Sequence, residues 1–232
     1  MKKKIFILSL LVSAIYSSCV KDSACDYEAV IPCVEECTMY EDFEDERPGP
    51  ANNWQSIAAS SPEIVQDNGN NSLYVKDQSG ASWVYTTTFP ANLLEQGCKL
   101  KYDVIYITGG TGNSATTDNS LTIFQGTSPS NATLRANFVL NNTHLIPSNA
   151  PFTNIEVPLE LASGTTLPSN AFGEWNMPGG PPYTTAQIND FNNLIQNISG
   201  VAFFLDEGAN PSEEWFFDNF CFQNCCENNV KP

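Results

Sequence analysis

The chain has 232 residues, with 26 Asp and Glu against 10 Lys and Arg, a formal net charge of −16 and eight cysteines. So acidic a surface repels phosphate backbones and anionic lipid heads, which argues against nucleic acid and favours cations, neutral ligands and basic partners. Few lysines, many Asn and Thr, and no charge block or low-complexity repeat describe one extracellular globule large enough to bury a proper core.

The N-terminus reads as a secretory signal over residues 1–18. Lys2-Lys3-Lys4 precede an apolar run from Ile5 to Tyr16, and Ser17-Ser18-Cys19 follow. The run is shorter than the ~20 residues a spanning helix needs, and small residues before a cysteine predict lipidation at Cys19. Ordinary cleavage nearby, with Cys19 in a disulfide, is the alternative. Removing residues 1–18 takes away three basic and no acidic residues, which leaves seven against 26, about −19.

Residues 19–37 carry Asp, Pro and Cys without a period and read as a tether. Eight cysteines in a secreted chain argue for disulfides. Cys98 shares a strand face with Leu100, Tyr102 and Val104 and reads as a buried free thiol. The others form an entry cluster of Cys25, Cys33 and Cys37 and an exit cluster of Cys221, Cys225 and Cys226. Bridges are expected to tie entry to exit, because first and last strands often pair in β-sandwiches. Zinc is the alternative, but the single His144 lies far away and the cysteine spacing is not a usual finger spacing.

A strand is expected from Thr38, ending in the acidic run Glu41 to Glu46 and the Arg47-Pro48-Gly49-Pro50 turn. Short strands follow at Trp54 to Ile57, at Ile64-Val65, around Leu73 and Val75 after the Asn68-Gly69 turn, and at Trp83 to Tyr85. Longer ones are expected at Lys99 to Ile107, Leu121 to Phe124, Leu134 to Leu140 and Ile155 to Leu159, with turn-rich gaps from Thr108 to Ser120 and from Ser163 to Pro182. Thr184 followed by Gln187 is a capping-box pattern, and Ile188, Phe191, Leu194, Ile195 and Ile198 recur at helical spacing. Ser199-Gly200 ends that helix. Val201 to Leu205 and Glu214 to Phe222 then read as strands apolar on both faces, hence inside a packed sandwich, joined by a turn at Gly208-Ala209-Asn210-Pro211. The fold class is all-β: a two-sheet antiparallel jelly-roll β-sandwich over residues 38–226, with one short helix near the C-terminus and a tail at 227–232.

Phe43-Glu44 before Trp54, Asn71-Ser72-Leu73-Tyr74-Val75, Trp83-Val84-Tyr85 before Phe89-Pro90, and Leu100-Lys101-Tyr102-Asp103 resemble the first half of a laminin IV (laminin B) domain. Leu134 and Phe138, Asn154 to Leu159, Trp175, Ile195 to Val201 and Asp218-Asn219-Phe220 keep the order of its second half. The likeness spans roughly 40–222 and implies the wider group of galactose-binding-like jelly rolls with their carbohydrate-binding modules. Val20-Lys21-Asp22 resembles the signal that sends lipoproteins of Bacteroidota to the outer face of the outer membrane. In galactose-binding-like domains a carboxylate after the first strand and one on the last often meet at a calcium ion. Glu44 and Asp218 stand at matching places, so the resemblance implies structural Ca²⁺, with carbonyls and water completing the six to eight oxygens it takes. Asp218 reads equally well as a turn cap.

The alternating Asp42, Glu44 and Glu46 invite a glycosidase reading, since a retaining mechanism needs two carboxyls about 5 Å apart. The run leads straight into a proline turn, however, and reads better as a solvated acidic turn. No Gly-x-Ser-x-Gly, His-Glu-x-x-His or phosphate-cradling loop occurs, and one histidine leaves a hydrolase little choice of base. Trp54 and Trp83, on strands, read as core. Trp175 and Tyr183, in a loop with Gly179-Gly180-Pro181-Pro182, are the candidate ligand-stacking pair, expected to be exposed. The expectation is a non-enzymatic surface lipoprotein whose jelly roll binds glycan or a matrix-like partner. The alternatives are an accessory subunit docking on another outer-membrane protein and a polysaccharide-degrading glycosidase.

Overall fold

The computed structural model describes residues 35–78, 81–107, 121–205 and 213–225. Cys19, Cys25, Cys33, Cys226, the Gly208 to Pro211 turn and the Thr108 to Ser120 gap lie outside them. In chain order the strands are β1 (Cys37–Glu41), β2 (Gly49–Pro50), β3 (Gln55–Ile57), β4 (Glu63–Asp67), β5 (Asn70–Lys76), β6 (Trp83–Thr86) and β7 (Lys99–Ile107). They continue with β8 (Leu121–Gly126), β9 (Ala132–Leu140), β10 (Thr153–Pro158), β11 (Gly173–Asn176), β12 (Gly200–Phe204) and β13 (Glu214–Gln223). The α-helix α1 (Thr185–Gln196) comes between β11 and β12.

Two antiparallel sheets form. One runs β10-β7-β13-β5-β4-β2, with β1 also paired to β13; the other runs β11-β9-β8-β12-β6-β3. The alternation in β7 shows why: Leu100, Tyr102, Val104 and Tyr106 are buried, and the residues between them are half-buried. Between the sheets Phe203 meets Phe217 with ring centres 4.3 Å apart and Tyr102 at 5.1 Å, and Tyr102 stacks on Phe220 at 5.8 Å. Helix α1 begins with the expected capping box, in which the Thr184 hydroxyl accepts from the Gln187 N–H and the Gln187 side chain accepts from the Thr184 N–H. Its apolar stripe, Ile188, Phe191, Leu194 and Ile195, is buried. Phe191 lies 5.7 Å from the ring of Trp175.

First and last strands do pair, β1 antiparallel to β13, and a disulfide joins Cys37 to Cys221 with Cα atoms 5.6 Å apart. Cys98 is not a free thiol. It bonds to Cys225 across a Cα separation of 5.6 Å. Face parity misassigned it, because β7 begins one residue later and Cys98 lies where the end of β13 runs past, its N–H donating to the Gln223 carbonyl at 3.0 Å.

A second correction concerns β13, which is not enclosed on both faces. Trp215 and Phe217 point into the core, whereas Glu214 and Phe216 on the opposite face are only half-buried. Between Asp218 and Cys221 the register with β7 shifts, Asn219 takes the left-handed φ of 52°, and Phe220 and Phe222 turn inward again. This bulge divides the strand, with β5 pairing to Glu214–Phe217 and β1 to the segment from Phe220 to Gln223.

Candidate functional site: a groove on the seven-stranded sheet

Because β5, β7 and β13 lie side by side, their outward residues share one surface. Ile105 and Ile107 from β7, Phe216 from β13 and Phe152, just before β10, line a groove of about 290 Å³ on that face. Asn70 and Ser72 from β5, Asp67 from β4, and Asp218 with Asn219 at the bulge close its polar end. Phe216 packs against Tyr74 at 5.0 Å, so two aromatic rings of adjacent strands support each other, and Phe152 is 37% exposed. The volume is at the lower end of the ~300–1,000 Å³ of small-molecule pockets.

A belt of amide–carboxylate bonds crosses the sheet at the bulge. Asn70 Nδ2 donates to Asp218 Oδ2 at 2.8 Å, and the Asn219 N–H donates to Asp218 Oδ1 at 2.7 Å. Asn219 Nδ2 donates to Asp103 Oδ2 at 2.8 Å, and Asn154 Nδ2 to Asp103 Oδ1 at 2.9 Å. The belt therefore ties β5, β13, β7 and β10 together and fixes the groove's polar wall.

Glu44 is near enough to Asp218 for its charge to act on that carboxyl. The acidic run forms a turn rather than a strand, so Asp42, Glu44 and Glu46 do not share a strand face. Glu44 Oε1 accepts the Asn71 N–H at 2.9 Å, which brings the turn against the end of β5. Burial, followed by the nearby carboxylates Asp103 and Glu44, pushes the Asp218 carboxyl up to about 6 despite its bonds from Asn70 and Asn219. Beside them, Asn71 Nδ2 donates to the carbonyls of Phe43 at 3.2 Å and Glu46 at 3.0 Å, which fixes the amide, while its Oδ1 is buried without a partner. Among the described residues no three His, Cys, Asp or Glu converge on one point. Two carboxylates and an orphaned amide oxygen fit a hard cation completed by carbonyls and water, and not zinc.

Trp175 and Tyr183 do not form a ligand platform. Trp175 is 1% exposed and Tyr183 4% exposed. The supposed loop contains β11, in which Trp175 pairs with Phe138 of β9, and the indole N–H donates to the Pro158 carbonyl at 2.8 Å. The Tyr183 hydroxyl accepts from the Met177 N–H at 3.2 Å and donates to Asn176 Oδ1 at 3.0 Å. Core packing thus claims both rings. Phe216, Tyr74, Phe152, Asp103 and Asn219 were not singled out by sequence. The usable signal was the triple aromatic Trp215-Phe216-Phe217, which must put one ring on the opposite face from its neighbours.

No family model and no curated protein matches the chain. Solved structures do. The carbohydrate-binding module CtCBM11 is similar over 82% of this chain and 96% of its own, at 15% identity and a TM-score of 0.51. An exo-β-agarase is similar over 82% of this chain but 25% of its own, at 13% identity and a TM-score of 0.53. The L4b domain of human laminin α-2 is similar over 84% of this chain and 99% of its own, at 14% identity and a TM-score of 0.47. The likeness to CtCBM11 and the agarase therefore shows a two-sheet jelly-roll β-sandwich fold.

Proposed function

We propose that this domain is a non-catalytic glycan-binding module, displayed on the outer membrane by a lipid at Cys19, and that the groove over Phe216 is its binding site. The observation that carries the reading is the pairing, in one open groove on a rigid sheet, of an aromatic floor with a wall of carboxylate and amide groups. Aromatic faces stack on the apolar faces of sugar rings, while preset acceptors take their hydroxyl hydrogens at little entropic cost. The fold shared with a carbohydrate-binding module supports the reading. Intact cells probed with a panel of fluorescent polysaccharides test it. Wild-type cells should be labelled by at least one glycan. Phe216→Ala should abolish labelling with the protein still on the surface, and Cys19→Ala should abolish it by taking the protein off the surface. Labelling that survives Phe216→Ala would remove the groove from the binding site.

We further propose a structural Ca²⁺ held by Glu44, Asp218 and Asn71 Oδ1. The three like charges around the bulge and the orphaned amide oxygen are what support it. With a folded pKa raised above its unfolded value, Asp218 favours folding below about pH 4 and loses that contribution as pH rises through about 6. A bound cation reverses the loss by stabilising only the folded state. In EDTA at pH 7, Asp218→Asn should therefore melt higher than the wild type. Added calcium should raise the melting temperature of the wild type alone. A wild-type melting curve indifferent to calcium and EDTA disposes of the ion.

A further inference from the structure

The groove's charge says more about its ligand than its shape does. Asp67 and Asp218 line it, and Asp103 and Glu44 act on Asp218 from either side. No Lys or Arg is among its lining residues. The lysines on the same sheet are engaged elsewhere: Lys76 with Glu214 at 3.5 Å, and Lys99 and Lys101 with Glu156 at 3.0 and 2.9 Å. A divalent cation at the bulge would still leave two of the four carboxylate charges uncompensated. In the belt, one N–H of each of Asn70, Asn219 and Asn154 is taken up by a carboxylate, so the wall's charge stays negative while the lining holds no cationic donor.

Resting on the reading of this groove as the glycan site, we infer that it takes an uncharged sugar unit, whose hydroxyls donate to the Asp218–Asn219 wall, and rejects uronate and sulfated sugars. An acidic sugar would bring a charge into a small space that holds several charges of its own sign, with no donor pair to receive it. The aromatic floor supplies affinity without regard to charge, and the wall sets the selectivity. Asp67 is the outermost lining carboxylate, exposed and bonded by the Asn68 amide at 3.0 Å, so its charge can be changed without touching the core.

The test is titration calorimetry of the purified domain, with calcium present, against agarose oligosaccharides and barley β-glucan as neutral probes and against polygalacturonate and carrageenan oligosaccharides as acidic ones. The wild type is expected to bind a neutral probe and neither acidic probe at low salt. Asp67→Lys should bind an acidic probe that the wild type does not detectably bind, a gain that fades in high salt. Neutral and acidic probes bound alike by the wild type would overturn the selectivity while leaving the groove as a glycan site. An unchanged acidic affinity in Asp67→Lys would also overturn it. A protein that binds no saccharide in either form overturns the glycan reading and the inference together.

Discussion

Trp175→Ala is expected to destabilise the domain by about 3–5 kcal/mol, the range for deleting a large buried aromatic. The indole is 1% exposed, lies 5.6 Å from Phe138 and 5.7 Å from Phe191, and spends its N–H on the Pro158 carbonyl. Truncation opens a cavity among three elements, β9, β11 and α1, and leaves a buried carbonyl without its donor, so two penalties add. For a domain of this size, 1 kcal/mol is worth roughly 2–4 °C, so the melting temperature should fall on the order of 10 °C. Glycan affinity of the protein that remains folded should be unchanged, since the groove is on the other sheet. A melting temperature that barely moves would return Trp175 to the surface.

The second large effect is expected from removing the Cys37–Cys221 bridge. The bridge spans a sequence separation of 184 residues, and the loop-closure model assigns a loop of that length about 5 kcal/mol of denatured-state entropy. Engineered and native bridges usually deliver about 2–5 kcal/mol, and Cys98–Cys225, which spans 127 residues, already restrains part of the same unfolded chain. The Cys37→Ser, Cys221→Ser double variant should accordingly lose about 2–5 kcal/mol in urea titration. Its denaturant slope should rise as well, because the unfolded chain, freed of its long loop, exposes more surface. A double variant with unchanged stability and slope would show that the bridge does not constrain the unfolded state.

Much of the fold was legible because the sheet strands are long enough to show their period. Lys99 to Ile107 alternates over nine residues and forms β7 with those bounds, and the Thr184–Gln187 box marks the helix start. Two kinds of element escaped. β2, with two residues, and β11, with four, are too short for periodicity to outweigh the Gly and Pro around them, and Trp175 was misplaced with its strand. The groove escaped for a different reason. Its walls come from positions near 67, 105, 152 and 216, which only strand order brings together, and its polar end depends on a left-handed Asn219 that no local pattern announces. Of the expected site residues, Glu44 follows the end of β1 and Asp218 stands at the bulge inside β13. For the aromatic pair, flanking glycines and prolines suggest an exposed loop, whereas in the structure they mark tight turns around buried rings.

The place of β13 in its sheet governs how the chain can reach this structure at all. The last described strand lies between β7 and β5 and also carries β1, so the seven-stranded sheet has no interior until the C-terminal end of the domain arrives. Four of the six described pairings in that sheet, all but β2–β4 and β4–β5, join residues far apart in sequence, which makes for slow, all-or-none folding rather than growth from the N-terminus. During synthesis the earlier strands of this sheet would wait with unsatisfied edges. Only after Glu214 to Gln223 has been made can Cys221 and Cys225 reach Cys37 and Cys98, so both bridges close late and lock a sheet that is already complete.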